Sequence, residues 1–140
     1  NRYLFKAIDT NSVWRTGLLI ALKGDRCTIE ESDGSKWACD AKTLCQCTGL
    51  KDKNGKLIWE NDILHNGNYF VVKWNESCSR FDIVLNKFCN IPIGKWEPMI
   101  CDWKTNDFKE YRKAVDYEVI GNVFDNPKLL GIEVDEEIER

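Results

Sequence analysis

The sequence predicts a mainly β fold, a small SH3-like or partly open β-barrel of short antiparallel strands with one or two short helices. Three observations carry this prediction. Apolar residues fall in short runs rich in Val, Ile, Phe, Tyr and Trp. Turn pairs separate those runs, among them Gly24-Asp25, Asp33-Gly34, Asn54-Gly55 and Asn66-Gly67. Helical spacing of apolar residues is confined to one short stretch near 105–115.

In chain order, 3–8 alternates Leu4, Lys6 and Ile8 against Tyr3, Phe5 and Ala7, the period of a strand. Residues 13–22 form an apolar strand in which Gly17 marks a bulge. The turn at 23–26 leads into a strand from Cys27, and Asp33-Gly34 returns the chain through 36–39. Asp40 caps a single helical turn over 40–45. At 51–56 Asn54-Gly55 reverses the chain, and Leu57, Ile58 and Trp59 point inward. Strands at 69–74 and 80–85 follow, the second placing Phe81, Ile83 and Leu85 on one face. Segment 86–104, with two Pro and two Trp, reads as a long loop with a short strand near 99–101. Thr105 or Asn106 caps a short helix carrying Phe108, Tyr111 and Val115. A strand at 117–124 precedes a turn in which Pro127 suits a first helical position. The expected core holds Trp59, Ile63, Val72, Phe81, Ile83, Val119 and Val123.

At 140 residues this is one domain. It spans 1–130, a meander over 1–47 and a barrel-like part over 48–130, with an acidic tail over 131–140. Apolar residues make up 43% of the chain, enough for a core. No run approaches the about 20 apolar residues of a membrane span. The first residues lack the apolar stretch of a signal peptide, which predicts a soluble, intracellular protein. A net charge of −3 provides no overall attraction for nucleic acid.

Seven Cys with no secretory segment argue against a disulfide framework. The one tight pair, Cys45-x-Cys47, lacks the spacing and the second pair of a zinc site, so the thiols read as small buried side chains and no metal or cofactor is expected. His65 is the single His. No phosphate loop, metalloprotease motif or nucleophile elbow occurs, which points away from an enzyme.

Two blocks carry a family resemblance. "CTGLKDKNGKLIWENDIL" (47–64) and "YEVIGNVFDNPKLL" (117–130) resemble the YopX-like proteins of phages and prophages. That family has a Tyr-Thr-Gly-Leu-x-Asp-x-Asn-Gly-x-x-Ile-aromatic-Glu-Gly-Asp-Ile block in mid-chain and a Val-Ile-Gly-Asn-Ile-x-x-Asn-Pro-x-Leu-Leu block at its end. "FKAID", "DAKTLCQCTGL" and "YFVVKW" look like family positions too. Cys47 stands where Tyr is usual and Asn61 where Gly is usual; Asn is the next-best residue for left-handed backbone. The resemblance implies a mainly β, mobile-element protein acting in a bacterial cytoplasm, and no particular reaction.

The expected role is therefore non-catalytic binding of a host macromolecule, a host protein first, including one of a defence system. Segment 86–112 supplies aromatic anchors Trp96, Trp103 and Tyr111, with Lys95 and Arg112 steering. The alternative is a single-strand nucleic-acid binder. Lys51, Lys53 and Lys56 beside Trp59 form one basic-aromatic patch, and Arg80, Lys87, Lys95 and Trp96 form another. A pocket for a small nucleotide signal is a third reading. Open strand edges favour a homo-oligomer.

Overall fold

The structure is a computed structural model, and it describes residues 3–86, 89–94 and 112–131. The fold is mainly β, with two curled sheets, one of them a half-barrel. Its only helical pieces among the described residues are 3-10 turns. The chain divides into two compact units, 1–49 and 50–140.

The first unit is built on strands β1 (Phe5–Ile8), β2 (Trp14–Lys23), β3 (Arg26–Glu30), β4 (Lys36–Asp40) and β5 (Cys45–Lys51), ordered β4-β3-β2-β1-β5. The hairpins form where the turn residues place them. Gly24 (φ 61°) and Gly34 (φ 88°) take the left-handed backbone that a Cβ disfavours. Asp40 caps the 3-10 turn Ala41–Thr43 by accepting from the Lys42 amide. The core is small: Ala7, Cys27, Ile29 and Cys39, covered by Phe5, Leu19, Trp37 and Leu44. Cys45 and Cys47 are buried as well. A polar brace flanks the core. Arg15 stacks on Trp37 at 3.4 Å and bonds Asp9 at 2.8 Å, and Asp9 also accepts from the Asn11 and Val13 amides.

Gly17 is not a bulge. The register shift of β2 against β3 lies between Leu19 and Ala21. Gly17 is instead a point of close backbone approach, because a Cβ there would sit 2.0 Å from the Glu30 carbonyl oxygen.

β5 runs past Gly49 into the second unit. There a hairpin leads to β6 (Leu57–Trp59), followed by β7 (Asp62–Asn66), β8 (Asn68–Asn75), β9 (Arg80–Asn86), β10 (Cys89–Gly94), β11 (Arg112–Lys113) and β12 (Glu118–Asn122). The sheet order is β11-β10-β9-β8-β7-β12. Its inner face buries Leu64, Phe70, Val72, Phe81, Ile83, Ile91 and Ile93, joined by Ile58, Ala114 and Tyr117. Each fully buried large apolar side chain is worth roughly 1.5–3 kcal/mol. Phe70 meets Tyr117 edge-on, and Trp74 meets Phe81 likewise.

Of the expected core, Ile63, Val72, Phe81 and Ile83 are buried, while Trp59, Val119 and Val123 are half-buried. Strand alternation explains β6: Ile58 points inward, so Leu57 and Trp59 on either side do not. Two other expectations need correction. Residues 89–94 are a strand, not loop, despite Pro92, which lies opposite Asp82 in the antiparallel β9–β10 pair. The sheet is also not wholly antiparallel, since β10 and β11 pair in parallel through Ile93–Arg112 and Gly94–Lys113. A parallel pair needs a long connection, and 95–111 supplies it. The strand expected near 99–101 lies outside the described residues, as does most of the helix expected at 105–115. The end of that helix is instead β11 and a 3-10 turn, Ala114–Asp116.

Candidate functional site

The anchors expected from sequence, Lys95, Trp96, Trp103 and Tyr111, lie outside the described residues. Arg112 begins β11 and is half-buried beside Tyr117. Burial pushes the Tyr117 phenol pKa up, and Arg112 pulls it partly back through its charge and a hydrogen bond.

Lys51, Lys53 and Lys56 are exposed on the hairpin before β6. Buried Asp52 shapes that hairpin. Its Oδ1 accepts from the amides of Asn54 and Lys56, both at 2.9 Å, and its Oδ2 accepts from the Val119 amide at 2.9 Å. Burial pushes the Asp52 carboxyl pKa up, but the three amides outweigh it and hold the pKa below the usual carboxylate value. The lysines are not an unbroken basic patch, because Glu118 accepts from Asn54 and approaches Lys53 to 3.9 Å.

Two further buried carboxylates are separately engaged. Asp62 accepts from the Trp59 amide. Asp82, fully buried, accepts from Asn75 Nδ2 and Arg80 Nε. Among the described residues no three acidic, His or Cys side chains gather as a metal site. Cys27, Cys39, Cys45 and Cys47 are buried, and burial, with the charges of Cys27 and Asp9, raises the Cys39 thiol to about 11.

A concavity of the second unit follows β12. The turn 122–130 is braced by two side chains. Asn122 Oδ1 accepts from the Phe124 and Asp125 amides at 2.9 Å, and its amide group donates to Asp125. Asn126 Oδ1 accepts from the Asn122 amide at 3.2 Å, and the Asn126 amide bonds back to the Asn122 carbonyl. The Asn126 side chain packs against bare Gly121, where a Cβ would lie 2.4 Å from Asn126 Oδ1 and would push that side chain from its place. Asn61 anchors the start of the turn. Its left-handed backbone (φ 70°) goes with a carbonyl that accepts from the Val123 amide, and its side chain accepts from Lys73 Nζ at 2.6 Å. Pro127 then starts the 3-10 turn Pro127–Leu130. The result is a cavity of about 550 Å³ lined by Phe124, Asp125, Asn126, Pro127, Lys128 and Leu129. Two apolar walls between an acid and a base suit an inserted side chain of a partner.

In the sequence, 125–130 reads as a turn or as a helix start at Pro127, and the 3-10 turn Pro127–Leu130 agrees with the second reading. The signal that points to the cavity is the density of Asn around Gly121, Asn122 and Asn126, which is more bracing than a simple strand exit requires.

Among the described residues, no helix is long and apolar enough to cross a membrane. Residues 10–131 match the model of the family described as YopX protein. A search of curated proteins finds no match. Among solved structures, the crystal structure of protein EF1440 from Enterococcus faecalis is similar over 91% of this chain and 96% of that one, with 23% sequence identity and a TM-score of 0.47.

Proposed function

The chain belongs to the YopX family, and from that premise and the braced C-terminal cavity we infer that it is a non-catalytic accessory protein of a mobile element that binds a host protein. The observation that carries this reading is the rigid turn 122–130, whose backbone is held by Asn122 and Asn126 around a cavity between Phe124 and Leu129. Loops held on a β scaffold concentrate binding residues, and a preformed cavity lowers the ordering cost of binding. One apolar side chain of the partner fills the cavity, with Asp125 and Lys128 meeting polar groups at its rim. Trp96, Trp103 and Tyr111, with Lys95, are proposed as partner contacts on the ground of residue type alone.

The test is affinity capture from host lysate, with and without nuclease. Leu129→Asp and Phe124→Ala are compared with the parent after circular dichroism confirms folding. One protein should be retained regardless of nuclease, and Leu129→Asp should weaken its capture about thirtyfold, the scale of a lost anchor. Retention that nuclease abolishes, or that both turn variants leave intact while Lys51→Glu/Lys53→Glu removes it, overturns the reading in favour of nucleic acid or the hairpin.

A further inference from the structure

Asn followed by a small residue is a reactive pair as well as a turn signal. With little or no side chain in the way, the second residue's amide nitrogen can reach Cγ of the Asn. The attack needs that amide free of other bonds and the Asn side chain free to turn. Among the described residues a small residue follows Asn at Asn11-Ser12, Asn54-Gly55 and Asn66-Gly67, and Gly follows Asp at Asp33-Gly34, where the same ring closure is open to the carboxyl group. In all but one of these pairs the amide is already engaged. Ser12 donates to the Asp9 carbonyl at 3.1 Å, Gly34 to the Glu31 carbonyl at 2.9 Å and Gly55 to the Asp52 carbonyl at 3.0 Å. Asn54 also holds its side-chain amide on Glu118 at 3.3 Å. Asn66-Gly67 is the exception. Neither the Gly67 amide nor the Asn66 side chain has a hydrogen-bond partner among the described residues. Both residues are exposed, and the space beside the Gly67 Cα is open.

We propose that Asn66-Gly67, at the tip between β7 and β8, is a site of spontaneous covalent modification by water. A base in the solvent takes the Gly67 amide proton. The nitrogen bonds to Asn66 Cγ, the Cγ–Nδ2 bond breaks, and Nδ2 leaves as ammonia, closing a five-membered succinimide. Water then adds to one of the two ring carbonyls. Addition at Cγ opens the ring to ordinary aspartate. Addition at the main-chain carbon opens it to isoaspartate, whose backbone runs through the side chain and is one methylene longer. The net change is hydrolysis of one amide, with no oxidant or cofactor. Either product adds a negative charge to a chain of net charge −3. The longer link falls at the closing pair of the hairpin, Asn66–Asn68, next to His65–Tyr69, whose rings lie 4.9 Å apart. Those two pairs lose their register, while Leu64–Phe70, buried in the core, holds. The hairpin tip of an old copy is thereby chemically distinct from that of a new one.

The experiment is timed incubation of the full chain in mildly acidic and mildly alkaline buffer, read by peptide mapping and mass spectrometry. The peptide carrying Asn66 should gain about 1 Da and separate into two products, faster in the alkaline buffer. In the folded chain Asn66 should react about tenfold or more faster than Asn54, because the Asn54 loop must open before its Gly55 amide is free. In urea the two Asn-Gly pairs should react within about threefold of each other. Asn66→Gln should remove the fast release of ammonia, and Asn54→Gln should leave it unchanged. Equal rates at the two sites in the folded chain, or faster reaction at Asn54, overturn the proposal. So does an Asn66 that stays intact in the folded chain while its unfolded form reacts. Isoaspartate that leaves hydrogen exchange at 65–69 unchanged overturns the loss of register. None of these outcomes depends on the C-terminal cavity.

Discussion

Each unit contains the same five-residue loop, and the two are wired differently. In Asp9–Val13 the Asp9 amide donates to the Val13 carbonyl, the Ser12 amide to the Asp9 carbonyl, and Oδ1 accepts from residues 11 and 13. In Asp52–Lys56 the Asp52 amide donates to Lys56, the Gly55 amide to Asp52, and Oδ1 accepts from residues 54 and 56. The fourth residue is left-handed in both, Ser12 at φ 63° and Gly55 at φ 80°. Only the second carboxylate oxygen differs. Asp9 spends it on the Arg15 side chain six residues away, and Asp52 on the backbone of Val119, 67 residues away. A loop can therefore be a local staple or a long-range clamp with almost no change in its own geometry.

The largest expected effect breaks the clamp. Asp52→Ala orphans three amides, including the β12 amide of Val119, and should cost about 3 kcal/mol in urea unfolding. A loss below about 1 kcal/mol would mean that the long-range bond adds nothing to a local turn. Acid should act on the same carboxylate more gradually. The folded pKa of Asp52 is depressed, so its contribution is fully present above the unfolded value of about 3.9 and is lost as pH falls through the folded pKa. Unfolding midpoints should be nearly level in this respect above pH ~5 and fall below pH ~4, and Asp52→Asn should flatten that acid limb.

Asp9→Ala should be milder and confined. Hydrogen exchange should quicken at Asn11 and Val13 and around the Arg15–Trp37 stack, leaving the amides of β7 and β12 protected. Spread of the loss into β12 would erase the distinction between staple and clamp. The smallest effect swaps the left-handed residues. Ser12→Gly should stabilise by about 0.5–1 kcal/mol, and Gly55→Ser should cost about as much, both read from thermal midpoints.

The sequence discloses one loop and hides the other for this reason. Gly55 after Asn54 announces a turn, whereas Ser12 in the same backbone conformation announces nothing. Even the visible loop differs from the two-residue reversal that Asn-Gly suggests, because Asn54 does not have positive φ and Gly55 alone carries it. Strand existence follows from apolar runs and turn pairs, and Gly24, Gly34 and Gly67 sit where those turns need them. β10 is hidden because Pro92 reads locally as a strand breaker, and only its place in the sheet makes it acceptable. The C-terminal cavity is half legible, since Asn122, Asn126 and Pro127 mark a turn but not the open hollow beside it.

The reach of the Asp52 clamp also has a cost measured in time. A ribosome that has just added Asp52 must still add 67 residues before Val119 exists, roughly 3–13 s of synthesis. The neighbouring strands β7 to β10 meet one another in order of appearance, each closing against the last. β12, made late, must travel back to the first of them and pair with β7. Until it does, the nascent chain holds Asp52 without its third amide and β7 with one side unpaired, so a ribosome that stalls in this interval leaves a half-made sheet open to whatever strand is nearest.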